Sequence, residues 1–284
     1  MSSAQGTAHT VEPTHAGAVQ GSAYSAVTLA KRLFFPAVGA GLAGGLLLMV
    51  VMILVMGTSG MGYASPLNLG IPAFVYTISP PPAMLPSLVG AMGISLPPSV
   101  MSQIGPMLKS GHYLSPAMAH QMGGMLMGMH VPAQKVQMMG ALMTGHATNS
   151  TVATLMAQMP PQARHTVMAS MPVSAGHVAV GTVLHFAFSA FLGVSFFALI
   201  VGAAWLGLPA MRTRAAMVLA GVAGGAIVYA VNRWVLLPPT NPMMRLVPQT
   251  AFFLAHLLFG LTVGAAIAMV MQRRSFRAAL PGRP

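Results

Sequence analysis

Four long apolar runs decide what this chain can fold into. They are "LFFPAVGAGLAGGLLLMVVMILVMG" at 33–57, "VAVGTVLHFAFSAFLGVSFFALIVGAAWLG" at 178–207, and two more at 215–237 and 249–271. A helix crosses a bilayer with about 20 apolar residues, and each run is long enough. Only 5% of the 284 residues are charged, against about 25% in a soluble domain. Such a chain cannot cover a water-facing surface with ions, so lipid must be part of its solvent. The expected fold class is an all-α integral membrane protein, with four transmembrane helices and a long outer segment of short helices between the first two.

Lys and Arg orient the spans, because they gather on the cytoplasmic side. Lys31 and Arg32 precede the first span, Arg212 and Arg214 link the second to the third, and Arg273, Arg274 and Arg277 follow the fourth. An even number of spans puts all three groups on one side. The expectation is a prokaryotic plasma membrane protein with both termini cytoplasmic and segments 58–177 and 238–248 outside. Lys109, Lys135, Arg164 and Arg245 run against the rule. Residues 1–30 are small and polar and read as a disordered tail, with a second short tail at 272–284. Residues 66–97 are uncharged and rich in proline, which argues against a regular span and for an interfacial or re-entrant segment.

The charge balance also excludes chemistry. Glu12 is the one acidic residue, so paired carboxylates for acid–base catalysis, carboxylate cages for calcium and an Asp to orient a catalytic His are all missing. Without cysteine there are no disulfides, thiolate metal sites or Cys nucleophiles. The net charge of +12 does not indicate nucleic acid, because the basic residues are scattered and mostly flank apolar runs. The expected partners are the bilayer and either a membrane protein or a second copy of the chain.

Gly41 and Gly45, Gly221 and Gly225, and Gly260 and Gly264 each form a small-xxx-small pair. In membrane helices such pairs let backbones approach closely. Three pairs in three spans favour a compact bundle.

The outer segment repeats itself. "PSVMSQIGPMLKSGH" at 98–112, "PAMAHQMGGMLMGMH" at 116–130 and "PAQKVQMMGALMTGH" at 132–146 share Pro at the first place, Gln at the sixth, Leu at the eleventh and His at the fifteenth. A fourth, degenerate unit starts at Pro161. Proline suits a first helical turn, and the glycine near the end of units one and three suits a C-terminal cap. Places seven, eleven and fifteen are spaced to share a helix face. That spacing groups Ile104, Leu108 and His112, then Met122, Leu126 and His130, then Met138, Leu142 and His146.

Thioether and imidazole are soft to borderline ligands, and thioether selects Cu(I). Met118, Met122, Met125 and Met129 follow a stripe at helical spacing, as do Met139, Met143 and His146. With His112 and His130 these form the candidate copper ligands. The same stripe is what a core seam looks like, since methionine fills irregular gaps. A pH-responsive role for the outer histidines is a third reading. Inside the membrane, His185 and His256 sit at matched depth. They are candidates to hold a haem or a metal between helices, or to glue the bundle through each other, Ser189 or Asn232.

From the repeat onward the chain resembles an uncharacterised family of small prokaryotic multi-span membrane proteins. The resemblance rests on "HFAFSAFLG" (His185, Ser189, Gly193), on Tyr229, Trp234 and "LLPP", and on "HLLFG" from His256 to Gly260. The chain departs from that pattern in its long repeated segment, at Ala255 and at Asn232–Arg233. The resemblance implies a membrane location and a helical fold, and no activity. Three readings of function follow. One is binding or sensing of a soft metal such as Cu(I) through the outer segment. The second is a non-catalytic scaffold or assembly partner, and the third a bis-His haem protein.

Overall fold

The computed structural model describes residues 16–61, 80–170, 174–206, 208, 213–240 and 242–272. Among them the regular structure is helical throughout. Helix α1 runs Ala16–Thr58, α8 Ala175–Trp205, α9 Arg214–Val231 and α11 Gln249–Met271. Four segments, Leu33–Thr58, Ala175–Ala204, Arg214–Pro239 and Gln249–Met271, are long and apolar enough to cross a membrane. The protein is an all-α membrane protein.

Helix α1 begins well before its span. The expected disorder of residues 1–30 is therefore corrected for 16–30, which are helical. Extending a helix is far easier than starting one, and the rigid span supplies the nucleus. Residues 1–15, 62–79 and 273–284 lie outside the described residues.

The third span does not end as a plain helix. After α9 the chain makes a π-helical turn, Asn232–Leu236, and then the short α10, Leu237–Thr240. Pro238 and Pro239 have no N–H to bond the carbonyls of Trp234 and Val235. The preceding turn widens, and the Leu237 N–H bonds Asn232 O instead. Trp234 is exposed at this level, as suits an aromatic residue at a membrane interface.

The spans pack in the order α8, α1, α11, α9. Helix α1 lies against both α8 and α11, and α11 lies against both α1 and α9. Away from the outer segment, their shared core includes Phe196, Phe197, Met217, Phe259, Val263 and Ile267.

Residues 80–170 form a head of short helices at the other end. They are α2 (Leu85–Ala91), α3 (Pro98–Lys109), α4 (Pro116–Gly128), α5 (Ala133–Met143), α6 (Asn149–Gln158) and α7 (Pro161–Ser170). The three repeat units are α3, α4 and α5. Helix α6 falls between units, where the sequence pattern does not mark it. Ser115 and Thr148 cap α4 and α6 by accepting bonds from Met118 N–H and Thr151 N–H. Alone, helices this short are marginal in water. Here they share one core that runs into the bundle through Met52 and Met56 of α1, Met61 just after it, and Phe252 and Ala255 of α11. Helix α6 also packs on the 3-10 turn Pro242–Leu246 between the third and fourth spans. Within the segment 66–97, the described part packs with the head, α2 against α5 and the turn Pro82–Met84 against α3. Residues 66–79 lie outside the described residues, and in the described part the prolines open the short helix α2.

Candidate functional site

Ionisable groups inside a membrane are functional candidates by default, which singles out His185 and His256. His256 is buried on α11. Its Nδ1–H donates to the Phe252 carbonyl at 2.7 Å, which leaves Nε2 as the acceptor for Asn232 Nδ2–H at 3.1 Å. The π turn that begins at Asn232 carries that amide. Tyr229 and Phe252 flank the imidazole edge-on at 5.8 and 4.4 Å between ring centres. His185 on α8 donates from Nε2–H to the Gly45 carbonyl of α1 at 2.9 Å. Both Nε2 atoms therefore bond across a helix interface. A bis-His haem needs a free nitrogen lone pair from each ring, directed at one iron. The His256 Nε2 lone pair is occupied and the His185 Nε2 carries a proton. This geometry supports interhelical hydrogen bonds, including the Asn232 partner expected from the sequence.

The histidines belong to a pattern that reading the spans one by one missed. "GLAGG" at 41–45 recurs as "GVAGG" at 221–225, and "HFAFSAFLG" at 185–193 matches "HLLFGLTVG" at 256–264 as His-x-x-x-small-x-x-x-Gly. The helix pairs cross in the same register. A Cβ on Gly41 would run into the Ser189 carbonyl, and one on Gly221 into the Gly260 carbonyl. A Cβ on Gly193 would come within 2.5 Å of Ala37 O, and one on Gly264 within 2.8 Å of Met217 O. The bundle is thus two similar two-helix units, α1 with α8 and α9 with α11. The head is the connection inside the first unit, and a short link replaces it in the second. Aligning the spans with each other, instead of scanning each for its own motif, exposes this signal.

The second candidate is the Met/His-rich head. The structure divides the nine candidate ligands. Met122, Met139 and Met143 are buried in the head core, and Met118 packs against it. These four serve as core. Met125 and Met129 are 41% and 45% exposed, and Met127 beside them is 55% exposed. His112, His130 and His146 are exposed at the ends of three different helices. The nine do not form one site, because three are sealed in the core while the histidines face solvent.

The expectation that each fifteenth-place histidine extends the apolar face is also corrected. Ile104, Leu108, Met122, Leu126, Met138 and Leu142 are buried as that spacing requires. In units one and three the chain leaves the helix before the histidine. Gly111 and Gly145 take φ of 84° and 74°. The N–H groups of His112 and His146 then close the helix ends on Met107 O and Ala141 O. This is the six-to-one bond of a Schellman cap. The main-chain N–H groups of His112 and His146 serve the caps, and their imidazoles are exposed.

Unit two ends differently. Its helix runs one residue further, and His130 itself adopts φ 60°. Met129 is the C-cap residue, with its N–H bonded to Met125 O at 3.1 Å. Two exposed thioethers spaced one turn apart are thus followed in sequence by an exposed imidazole. Among the described residues no group of three or more His, Asp, Glu or Cys forms a metal cluster, so any metal here would rely on thioether sulfur.

No family model, curated protein or solved structure matches this chain.

Proposed function

We propose that this chain is a non-enzymatic protein of a prokaryotic plasma membrane, with both termini cytoplasmic, that binds or senses a soft metal such as Cu(I) through its Met/His-rich head. The observation that carries the reading is the division of the head methionines. Most fill the core, as methionine does in any irregular core, but Met125, Met127 and Met129 stand in solvent beside His130. Leaving these side chains in water gains nothing from the hydrophobic effect, whereas a thioether exposed to a Cu(I)-bearing medium is a ligand. The basic residues flanking the spans support the orientation, which places the head on the extracytoplasmic side.

The test is a Cu(I) titration of the detergent-solubilised full-length protein against a competing chelator. Uptake by the wild type that is lost in the Met125→Leu, Met127→Leu, Met129→Leu triple variant is the expected result. Equal affinity in the two proteins, or no uptake by either, overturns the reading. In that case the exposed methionines fit an apolar contact for an assembly partner.

A further inference from the structure

We infer that His130, held in a left-handed backbone conformation, is the third ligand of a two-thioether, one-imidazole Cu(I) site with Met125 and Met129. The inference rests on the soft-metal reading above and specifies the site within it.

The three repeat units act as internal controls for one another. Units one and three end on glycine at the left-handed position, Gly111 and Gly145. Glycine adopts that conformation without a steric penalty. Unit two has Met129 at the corresponding place in its sequence. The helix continues through Gly128 with Met129 as its C-cap residue, and the left-handed position passes to His130. Closure is shifted by one residue as well, with the His130 N–H on Met127 O and the Val131 N–H on Leu126 O. Among the described residues His130 is the one non-glycine with positive φ. Histidine is tolerated there better than most residues, but still under strain.

Packing does not explain this arrangement. Met125, Met129 and His130 are all exposed, so replacing the glycine adds no side chain to the head core. What it gains is chemistry. Unit two has a methionine at both the tenth and fourteenth places, one helical turn apart. Unit one has Met107 and Gly111 there, and unit three Ala141 and Gly145. Only unit two stacks two thioethers and follows them with an imidazole whose backbone turns sharply at its own residue. The cap accounts for a left-handed residue at this place but not for a histidine in it, and left-handed strain at a non-glycine residue motivates a functional hypothesis. Three neutral soft or borderline donors suit a monovalent soft cation, Cu(I) or Ag(I), and do not suit the hard divalent ions that want oxygen.

The experiment uses the full-length protein in detergent, titrated with Cu(I) against a chelator, with thermal unfolding followed in parallel. His130→Gly relaxes the turn, so it should raise the melting temperature while weakening Cu(I) binding at least tenfold. His130→Asn keeps a residue tolerant of the left-handed turn and should lose binding equally. Met125→Leu with Met129→Leu should lose binding at unchanged melting temperature, and Met127→Leu should bind as the wild type does. X-ray absorption of the loaded wild type should show two sulfur neighbours and one nitrogen. Wild-type uptake unaffected by either His130 variant, or a copper shell of sulfur alone, overturns the role of His130 and leaves the wider reading standing. No uptake by the wild type overturns both.

Discussion

Phe196 of α8 and Phe259 of α11 meet edge to face at 6.1 Å between ring centres, and each also faces a glycine of the other two-helix unit. Phe259 lies where a Cβ on Gly44 of α1 would come within 2.8 Å, and Phe196 where a Cβ on Gly224 of α9 would come within 2.7 Å. Within each unit, Gly41, Gly193, Gly221, Gly225, Gly260 and Gly264 meet backbone. Between the units, glycine meets an aromatic ring. The exchange is reciprocal, as expected of two similar units packed about a shared axis. Lipid tails are as apolar as the helices, so this fit of rings into glycine notches, and not water exclusion, supplies the association.

The first prediction concerns those contacts. Gly221→Ala and Gly260→Ala each drive a methyl group into backbone of the facing helix, and overpacking of this kind costs about 1–3 kcal/mol. Gly39→Ala meets nothing within 4 Å and should be neutral or slightly stabilising. Thermal unfolding in detergent separates the two classes, and equal melting temperatures for all three variants would contradict the packing described.

Removing the amide that pairs with His256 should have a modest effect. Asn232→Ala loses one interhelical hydrogen bond, and such bonds in membrane proteins average about 0.6 kcal/mol, reaching about 1.7 kcal/mol. A double-mutant cycle with His256→Ala measures the coupling. A coupling near zero would mean that the two side chains do not pair.

The helix ends of units one and three give a backbone test. At φ of 84° and 74°, Gly111→Ala and Gly145→Ala should each cost about 1–2 kcal/mol from the left-handed strain alone. Gly145→Ala should cost more, because its Cβ would come within 3.0 Å of the Tyr113 ring. Chemical denaturation followed by a probe in the head reads the difference.

Tyr113 provides a pH handle in the head. Its hydroxyl donates to Pro80 O at 3.1 Å, and burial raises its pKa above the ordinary value of 10.0. A group whose folded pKa is raised contributes stability that is complete below the unfolded pKa and lost as pH climbs through the folded one. The head should therefore weaken above about pH 10, and Tyr113→Phe should flatten that alkaline loss. A melting temperature against pH profile identical in both proteins would refute the assignment.

The core methionines should behave unlike the exposed ones. Met139→Ala and Met143→Ala remove side chains that are 0% exposed and should each cost about 2–5 kcal/mol. Met139→Leu and Met143→Leu should cost less than about 1.5 kcal/mol and leave Cu(I) uptake intact. Loss of metal in those leucine variants would move the site into the core.

Much of this fold is readable along the chain. Periodicity and length locate the spans, and the fourth, expected at 249–271, is Gln249–Met271. Proline at the first place and glycine at the fourteenth mark the start and stop of α3, because both act within a single turn. The buried faces of the three units follow for the same reason. His112 and His146 depart from the apolar face because their helices stop short of them, and a face rule holds only while the helix continues.

The one-dimensional pattern of apolar runs, prolines, glycines and charges determined that the chain is helical, that it has four spans, and which residues carry the ligand-like chemistry. These are local properties, set by hydropathy over one helix length and by backbone freedom over one turn. It could not say which methionines are core and which are solvent-facing, since a stripe at helical spacing is compatible with either. Nor could it say that His185 bonds Gly45 across the bundle, or that Phe259 fits the notch at Gly44. Those outcomes depend on which helices become neighbours, and that is settled by close packing between segments far apart in the chain.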